Sequence, residues 1–246
     1  GLLLGLAACT PEPKPPADLA PITFSDVTAD AGLDFHMQSG GRIKNYIVES
    51  KGGGGAFFDF DGDGWLDIYL VNGSQFTAYA DSAAVRRNGL YRNTGDGIFQ
   101  DRTEEAGVGD SGWGMGCAVA DYDNDGDSDL YVSNYGRNIL YRNEGDGTFG
   151  DVGHAAGIDL KGWSTSASFG DYDLDGDLDL YVAQYLDFAP ERAINCAAAK
   201  HISCEFSSLV RSHATRVVST RGSTNFRVNG LRVFTIGKRC LLAHLC

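Results

Sequence analysis

A short acidic loop constrains this chain more than any other feature. The stretch "DYDNDGDSDLYV", residues 121–132, holds five aspartates in its first nine positions and then turns apolar. Two carboxylates about 4 Å apart repel each other by about 4 kcal/mol at the effective dielectric of a protein surface. No lysine or arginine lies within the stretch, so the loop needs a counter-charge from elsewhere.

The spacing of the aspartates indicates a bound cation. They stand at positions 1, 3, 5 and 9 of the loop, and a glycine at position 6 permits a sharp turn. Oxygen ligands at this flexible spacing suit Ca²⁺ better than Mg²⁺, and the lack of His and Cys argues against zinc or copper. The same register occurs three times, so about three calcium sites are expected. The predicted calcium ligands are Asp59, Asp61, Asp63, Asp67, Asp121, Asp123, Asp125, Asp129, Asp171, Asp173, Asp175 and Asp179.

A solvated acidic turn is the alternative interpretation, because clustered charges usually face water. Three copies in one register, each followed by an apolar-Tyr-apolar triplet, favour the calcium site. An EF-hand would need a glutamate at position 12 and a following helix. Position 12 is Leu70, Val132 or Val182, and strand-forming residues follow, which also counts against a dockerin module. The additional aspartates at position 7, Asp127 and Asp177, are expected to face solvent.

The loop belongs to a longer internal repeat. The segments "NGLYRNTGDGIFQDRTEEAGV" (88–108) and "NILYRNEGDGTFGDVGHAAGI" (138–158) start 50 residues apart, as do the second and third acidic loops. Each full unit reads as four short strands, with an Asp-Gly hairpin turn before the last. In the second unit the predicted strands cover about 115–121, 129–134, 138–143 and 148–152. Four strands in about 40 to 50 residues are the signature of a β-propeller blade.

Only two units are complete. The third ends after "LDLYVAQYLDF", and the fragment "ITFSDVTADAGL" (22–33) matches only the end of a unit, so Phe24 is expected on a fourth strand. We therefore predict an all-β fold, a β-propeller of four-stranded blades, with about two and a half to three blades in this chain. An interrupted propeller leaves an unpaired edge, which implies a piece of a longer protein or assembly with another chain. Recurring aromatic residues are expected to pack between blades: Trp113, Tyr131, Tyr141 and Phe149.

These motifs resemble FG-GAP/VCBS repeats. The ending "LYRNEGDGTFGDVGHAAG" is similar to that of the cartilage acidic protein family and its bacterial ASPIC/UnbV relatives, with Gly153 and His154 replacing the usual Thr and its neighbour. The resemblance covers residues 22 to about 188. It implies an integrin-α-like propeller with calcium held by the aspartates of the acidic loops. It also implies a cysteine pair, Cys196 and Cys204, which an oxidising compartment would join as a disulfide.

Composition divides the chain near residue 190. Residues 1–190 carry a net charge of −20 and residues 191–246 a net charge of +7. The predicted domains are a truncated lipoprotein-type signal peptide (1–9), a Pro-rich tether (10–21), a partial FG-GAP/VCBS propeller (22–188) and a tail (189–246). The tail shows neither blade pattern nor acidic loop, and we interpret it as non-native or disordered sequence. A basic arm for anionic partners is the alternative, but its arginines are scattered among serines.

The first residues predict a location at the cell envelope. "LAAC" (6–9) resembles the bacterial lipoprotein box, in which Cys9 would be lipidated, and "PEPKPPADLAP" reads as an extended tether. An ordinary secretory segment with a chance cysteine is the alternative. No segment is long enough to span a bilayer as a helix, so a lipid on Cys9 is the predicted membrane attachment. The predicted location is the bacterial cell envelope, anchored at its outer or periplasmic face, or the secreted fraction.

The motifs favour a non-enzymatic binding module over a catalyst. The sequence shows no nucleophile–base pair and no zinc motif, and "GGGG" (52–55) precedes a strand rather than a phosphate-binding helix. We expect a calcium-stabilised module for adhesion that engages a protein or glycan, not nucleic acid, through the insertions 34–46 and 72–87. The alternative is the propeller portion of an extracellular polysaccharide lyase or hydrolase whose catalytic part is missing here. Acids that such an enzyme could use are Glu49, Asp81, Glu104 and Glu105.

Overall fold

The computed structural model describes residues 22–76, 86–158, 160–185, 187–190 and 216–218. The predictions for Cys9, the Pro-rich tether, Asp81 and the pair Cys196 and Cys204 lie outside these residues, as does most of the tail.

β-Strands make up nearly all of the regular structure. The first sheet contains β1 (Gly54–Phe58), β2 (Asp67–Val71), β3 (Gly89–Asn93) and β4 (Phe99–Asp101). The second sheet contains β5 (Trp113–Ala120), β6 (Asp129–Tyr135), β7 (Ile139–Asn143) and β8 (Phe149–Asp151). The third sheet contains β9 (Ser164–Gly170), β10 (Asp179–Gln184) and β11 (Arg216–Val218). One 3₁₀ turn, Ile47–Ser50, precedes β1, and one short helix, α1 (Thr103–Ala106), follows β4 in the described ranges.

The sheets confirm the predicted four-stranded blades. Neighbouring strands pair antiparallel in chain order in the first two sheets, as in a meander, and the strand bounds in the second unit lie within two residues of those predicted. The third sheet differs, because the sequence has no LYRN motif after β10. Its third strand comes instead from the tail, where β11 pairs with β10 through Leu180 opposite Val218 and Val182 opposite Arg216.

The sheets stack face to face through alternate side chains. Leu130 and Val132 of β6 lie with Tyr69 in the cluster between the first and second sheets. Tyr131, between them in sequence, lies with Leu180 in the cluster between the second and third sheets. Because successive side chains of a strand point to opposite faces, one strand supplies both interfaces. The predicted packing of Trp113, Tyr131, Tyr141 and Phe149 is confirmed, since all four are buried.

The first strands of adjacent sheets approach each other closely. A Cβ added to Gly54 of β1 would lie only 2.9 Å from the Cα of Gly116 in β5. Glycine is therefore required where β1 meets β5, and this contact fixes how near the first two blades stand.

The N-terminal segment contributes a turn rather than a strand. Residues 22–27 form no strand, and the Phe24 side chain is 95% exposed, so the expected fourth strand is wrong. The reason is that no third strand of a preceding blade lies beside it within the described ranges to accept its hydrogen bonds.

The turn after this segment repeats the endings of the first two units. Each turn is closed by an N–H of its alanine: Ala31 N donates to Val27 O at 2.8 Å, Ala106 N to Arg102 O at 2.9 Å, and Ala156 N to Val152 O at 2.8 Å. The Phe99 N–H of β4 donates to Ala31 O at 2.8 Å, which seats the N-terminal turn on the first blade. The described part of the chain includes no helix with the length and apolarity needed to cross a bilayer.

Candidate metal centre

The first aspartate of each acidic loop folds the loop around its own carboxylate. Asp121 accepts hydrogen bonds from the N–H groups of Asp125 at 3.1 Å and Gly126 at 3.0 Å. Asp59 and Asp171 accept the equivalent pairs in the first and third loops. The loop therefore forms from its local sequence, in the same way at all three places.

Two positions of the loop have positive φ. Gly126, at position 6, has φ 98°, which confirms the predicted need for glycine there. Position 4 is also left-handed, and its residue is Gly62, Asn124 or Leu174, the last with φ 60°. A left-handed leucine costs about 1 kcal/mol or more, so the loop geometry overrides the preference of this residue.

The ninth aspartate is anchored to the third strand of its sheet. Asp129 is fully buried, and its carboxylate accepts N–H bonds from Tyr122 at 3.0 Å and Asn143 at 2.8 Å. Asp67 of the first loop accepts the equivalent two bonds. Asp179 accepts one bond, from Tyr172 N at 3.1 Å, and the described residues offer no counterpart of the second.

The fold brings positions 1, 3 and 9 together at each loop. The carboxylates of each set present oxygens that lie within 4.8 Å of one another: Asp59, Asp61 and Asp67; Asp121, Asp123 and Asp129; Asp171, Asp173 and Asp179. The predicted ligands at position 5 are Asp63, Asp125 and Asp175, and they stand outside these sets. Each caps the N–H two residues ahead, as Asp125 does for Asp127 at 2.9 Å.

Burial and neighbouring charges raise the pKa of the ninth aspartate in the first and second loops. Burial raises the pKa of Asp129 to about 7, helped by the charges of Asp123 and Asp125 and opposed by its two N–H bonds. Burial is also the main cause that raises the pKa of Asp67, with Asp61 and Asp63 adding to it. Negative charge is therefore costly at Asp67 and Asp129, and a divalent cation would relieve that cost.

One oxygen of the first loop has no partner. Asp61 Oδ1 is buried and accepts no hydrogen bond, and a buried acceptor left unpaired costs about 1–3 kcal/mol. Asp61 itself belongs to one of the three-carboxylate sets. An oxygen-preferring cation bound there would be its partner, so the residues present fit the calcium that their spacing predicts.

Residues of the repeated LYRN motif serve the acidic loops, which the sequence reasoning missed. Arg92 bonds through Nε to Asp61 and through Nη2 to Asp63 Oδ2, the latter at 2.7 Å. Its neighbour Asn93 donates its N–H to Asp67 at 2.7 Å. The signal that could have found them is the recurrence of the Arg-Asn pair in both complete units, 50 residues apart.

Three of the four acids considered for an enzyme lie in the described part of the chain, and each has a structural partner. Glu49 is fully buried, and its Oε2 accepts the N–H groups of Asn45 at 2.6 Å and Tyr46 at 2.8 Å. Glu104 pairs with Arg87, and Glu105 with Arg102, on the exposed surface of α1. Their contacts give no geometric support to a catalytic pair.

The sequence model for the FG-GAP-like repeat matches residues 59–132 and again 121–182. The two matches together span half of the chain. The chain belongs to the FG-GAP-like repeat family. Each FG-GAP-like match begins at the first aspartate of one acidic loop and ends inside the second strand of the next blade, so the loops are part of what defines the family. No curated protein matches the chain.

Proposed function

We propose that this FG-GAP-like repeat protein binds calcium at its acidic loops and serves as a non-catalytic binding module. One observation carries the metal assignment: Asp61 Oδ1 is a buried, unpartnered oxygen within a set of three converging carboxylates. FG-GAP repeat domains are generally binding modules rather than catalysts. The aspartates at positions 1, 3 and 9 would hold the ion, and those at position 5 would complete its oxygen shell.

The calcium would act on structure. Each loop joins the first two strands of a blade, and its carboxylates repel one another while the loop is metal-free. Neutralising that charge would favour the folded loop over the unfolded chain, so folding and ion binding would be linked.

Described residues of both predicted insertions line one cavity, which supports a role of the insertions in partner contacts. The cavity has a volume of about 410 Å³, and it is lined by residues from both insertions and by the region of α1, among them His36, Asn72, Arg87 and Glu104. This size lies within the range of small-ligand sites. We propose that this surface engages a protein or a glycan.

The proposed setting is the bacterial cell envelope. Lipidation of Cys9 would attach the module to a membrane, and the Pro-rich tether would hold the blades away from it. Similarity of the unit endings to the cartilage acidic protein family and its ASPIC/UnbV relatives supports an extracytoplasmic role. Cell fractionation of the native protein and a Cys9→Ser variant tests this, since loss of membrane association is expected only in the variant.

A thermal melt tests the calcium proposal. We expect the midpoint to rise on adding CaCl₂ to chelator-treated protein, because a ligand at 100 times its Kd adds about 2.7 kcal/mol per site. MgCl₂ at the same concentration is the control for ionic strength and should raise the midpoint less. A midpoint that Ca²⁺ leaves unchanged would overturn the proposal.

A further inference from the structure

The arginine of the LYRN motif lies differently at the first and second loops. Arg92 reaches into the first loop, where it bonds Asp61 and Asp63. Arg142, at the equivalent position of the second unit, bonds Glu144 instead, with Nη2 2.7 Å from both carboxylate oxygens, and acts on Asp123 of the second loop only through its charge. The two loops thus differ in whether the arginine of the repeat donates hydrogen bonds to their aspartates.

The residue two positions beyond the arginine differs between the two units. Glu144 of the second unit corresponds to Thr94 of the first. Thr94 is exposed and donates its hydroxyl to Ile98 O at 2.9 Å, so it offers no carboxylate to an arginine. The nearest negative charges that Arg92 meets are those of the loop.

The contact between Arg92 and the first loop is partly shielded from water. The side chains of Arg92, Asp61 and Asp63 are 34%, 19% and 25% exposed. An ion pair of this kind is screened less than one on an open surface. Asp61 is also a member of the three-carboxylate set, so the guanidinium and a bound ion would both interact with the Asp61 carboxylate.

We propose that Arg92 is a built-in counter-cation that competes with the divalent ion at the first loop, and that Glu144 withdraws its counterpart, Arg142, from the second. This inference rests on the proposed calcium binding. It makes the two sites unequal: the first binds the ion more weakly and keeps its fold without it, whereas the second binds more tightly and depends more on the ion.

Terbium luminescence can report ion binding at the first loop separately from the other two loops. Trp65 lies at position 7 of that loop and can sensitise bound Tb³⁺, whereas Trp113 and Trp163 are buried in the core outside the loops. Excitation at the red edge of the tryptophan band, where tyrosine absorbs little, reports Tb³⁺ at the first loop. For the second loop, Asp127→Trp in a Trp65→Phe background places the same reporter at the same loop position.

Exchanging the residues at the two positions tests the proposal in the full chain. Thr94→Glu should tighten Tb³⁺ binding at the first loop about ten-fold, equivalent to about 1.4 kcal/mol, and Glu144→Thr should weaken it at the second by a similar factor. Arg92→Gln should also tighten the first loop. Arg142→Gln is the matched control and should change the affinity of the second loop less than Arg92→Gln changes that of the first, because Arg142 donates no hydrogen bond to its loop.

The outcomes separate this inference from the proposed function. Equal Tb³⁺ affinities at the first loop in the wild type, Thr94→Glu and Arg92→Gln would overturn the role of Arg92 and leave calcium binding intact. Failure of every variant to bind Tb³⁺ or Ca²⁺ would overturn both. Melts in chelator give a second readout, in which Arg92→Gln should lower the midpoint and Arg142→Gln should lower it less.

Discussion

The second and third blades share their first two strands and differ in their third. In both, the first aspartate of the loop accepts the same two N–H bonds, at distances that agree within 0.1 Å. Asp129, however, is held by Asn143 of β7, whereas the third sheet continues with β11 and Asp179 has one N–H partner among the described residues. The loop is thus a local structure, while the anchoring of its last carboxylate depends on the third strand.

The central tyrosine of the "LYV" triplet shows the same contrast at the blade faces. Tyr131 is fully buried between the second and third sheets, and Tyr181 is 45% exposed. The two residues have the same neighbours in sequence. The difference arises because the third sheet covers Tyr131, whereas no further sheet among the described residues covers Tyr181. Burial here is a property of the stack of blades rather than of the strand.

Tyrosine truncation should give the largest difference between the two blades. Tyr131→Ala removes a fully buried ring, and we expect a loss of about 3–5 kcal/mol in the free energy of unfolding. Tyr181→Ala should cost about 1 kcal/mol, because much of its ring already faces water. Urea unfolding of both variants provides the measurement, and similar losses would contradict the contrast in burial.

Removing the ninth aspartate should give a smaller difference in unfolding free energy between the second and third blades. Asp129→Ala leaves two N–H donors unpaired, for which we expect a loss of about 3 kcal/mol, whereas Asp179→Ala leaves one and should cost about half as much. Unfolding in chelator isolates the hydrogen bonds from any ion. A larger loss for Asp179→Ala would show that the anchoring strand does not matter.

The side chain of Asn143 should contribute less to the free energy of unfolding than that of Asp129. Its Nδ2 donates to Phe60 O of the first loop at 2.8 Å, in a buried bond between blades. Asn143→Ala should therefore cost about 2 kcal/mol, since it leaves a buried carbonyl unpaired. Asn93→Ala is the control, because Asn93 Nδ2 bonds Leu66 O at 3.0 Å in an exposed region, and a loss of about 1 kcal/mol or less is expected there.

The smallest effect is expected at Cys117, where the third blade has Ala167. Cys117→Ala gives the second blade the residue of the third, and we expect a loss of no more than about 1 kcal/mol. Burial raises the pKa of the Cys117 thiol to about 11, so little reactive thiolate is present at pH 8. Iodoacetamide should alkylate it slowly in the native state, and mass spectrometry of the digest can measure the rate; rapid labelling would indicate an open strand.

Features with a local cause could be predicted from the sequence. The strands of the second unit follow from alternating residues bounded by turns, and the convergence at the loops follows from aspartates at fixed spacing around Gly126. The turn around Ala31 was detectable for the same reason, because its closing bond lies within five residues.

Features that depend on segments distant in sequence could not be predicted in this way. Arg92 lies about 30 residues from the carboxylates it contacts, and only the pairing of β2 with β3 brings it there. The "RVV" of β11 carries no repeat motif and pairs with β10 through backbone groups, which any sequence can supply. The strand expected at Phe24 failed for the converse reason, since its motif was present and its pairing partner was not.

The turns around Ala31 and Ala106 have a consequence for how the chain can be divided. By sequence each belongs to the end of one unit, but in space it lies against the last strand of the next. The bond from Phe99 N to Ala31 O shows this for the first turn, and the shared cluster of Ala106 and Phe149 shows it for the second. Consecutive units therefore overlap in space. A truncation at the sequence boundary between two units removes the turn that contacts the last strand of the next blade. Shortened versions of this protein should keep the preceding turn with each blade, and adjacent blades should melt as a coupled pair rather than one by one.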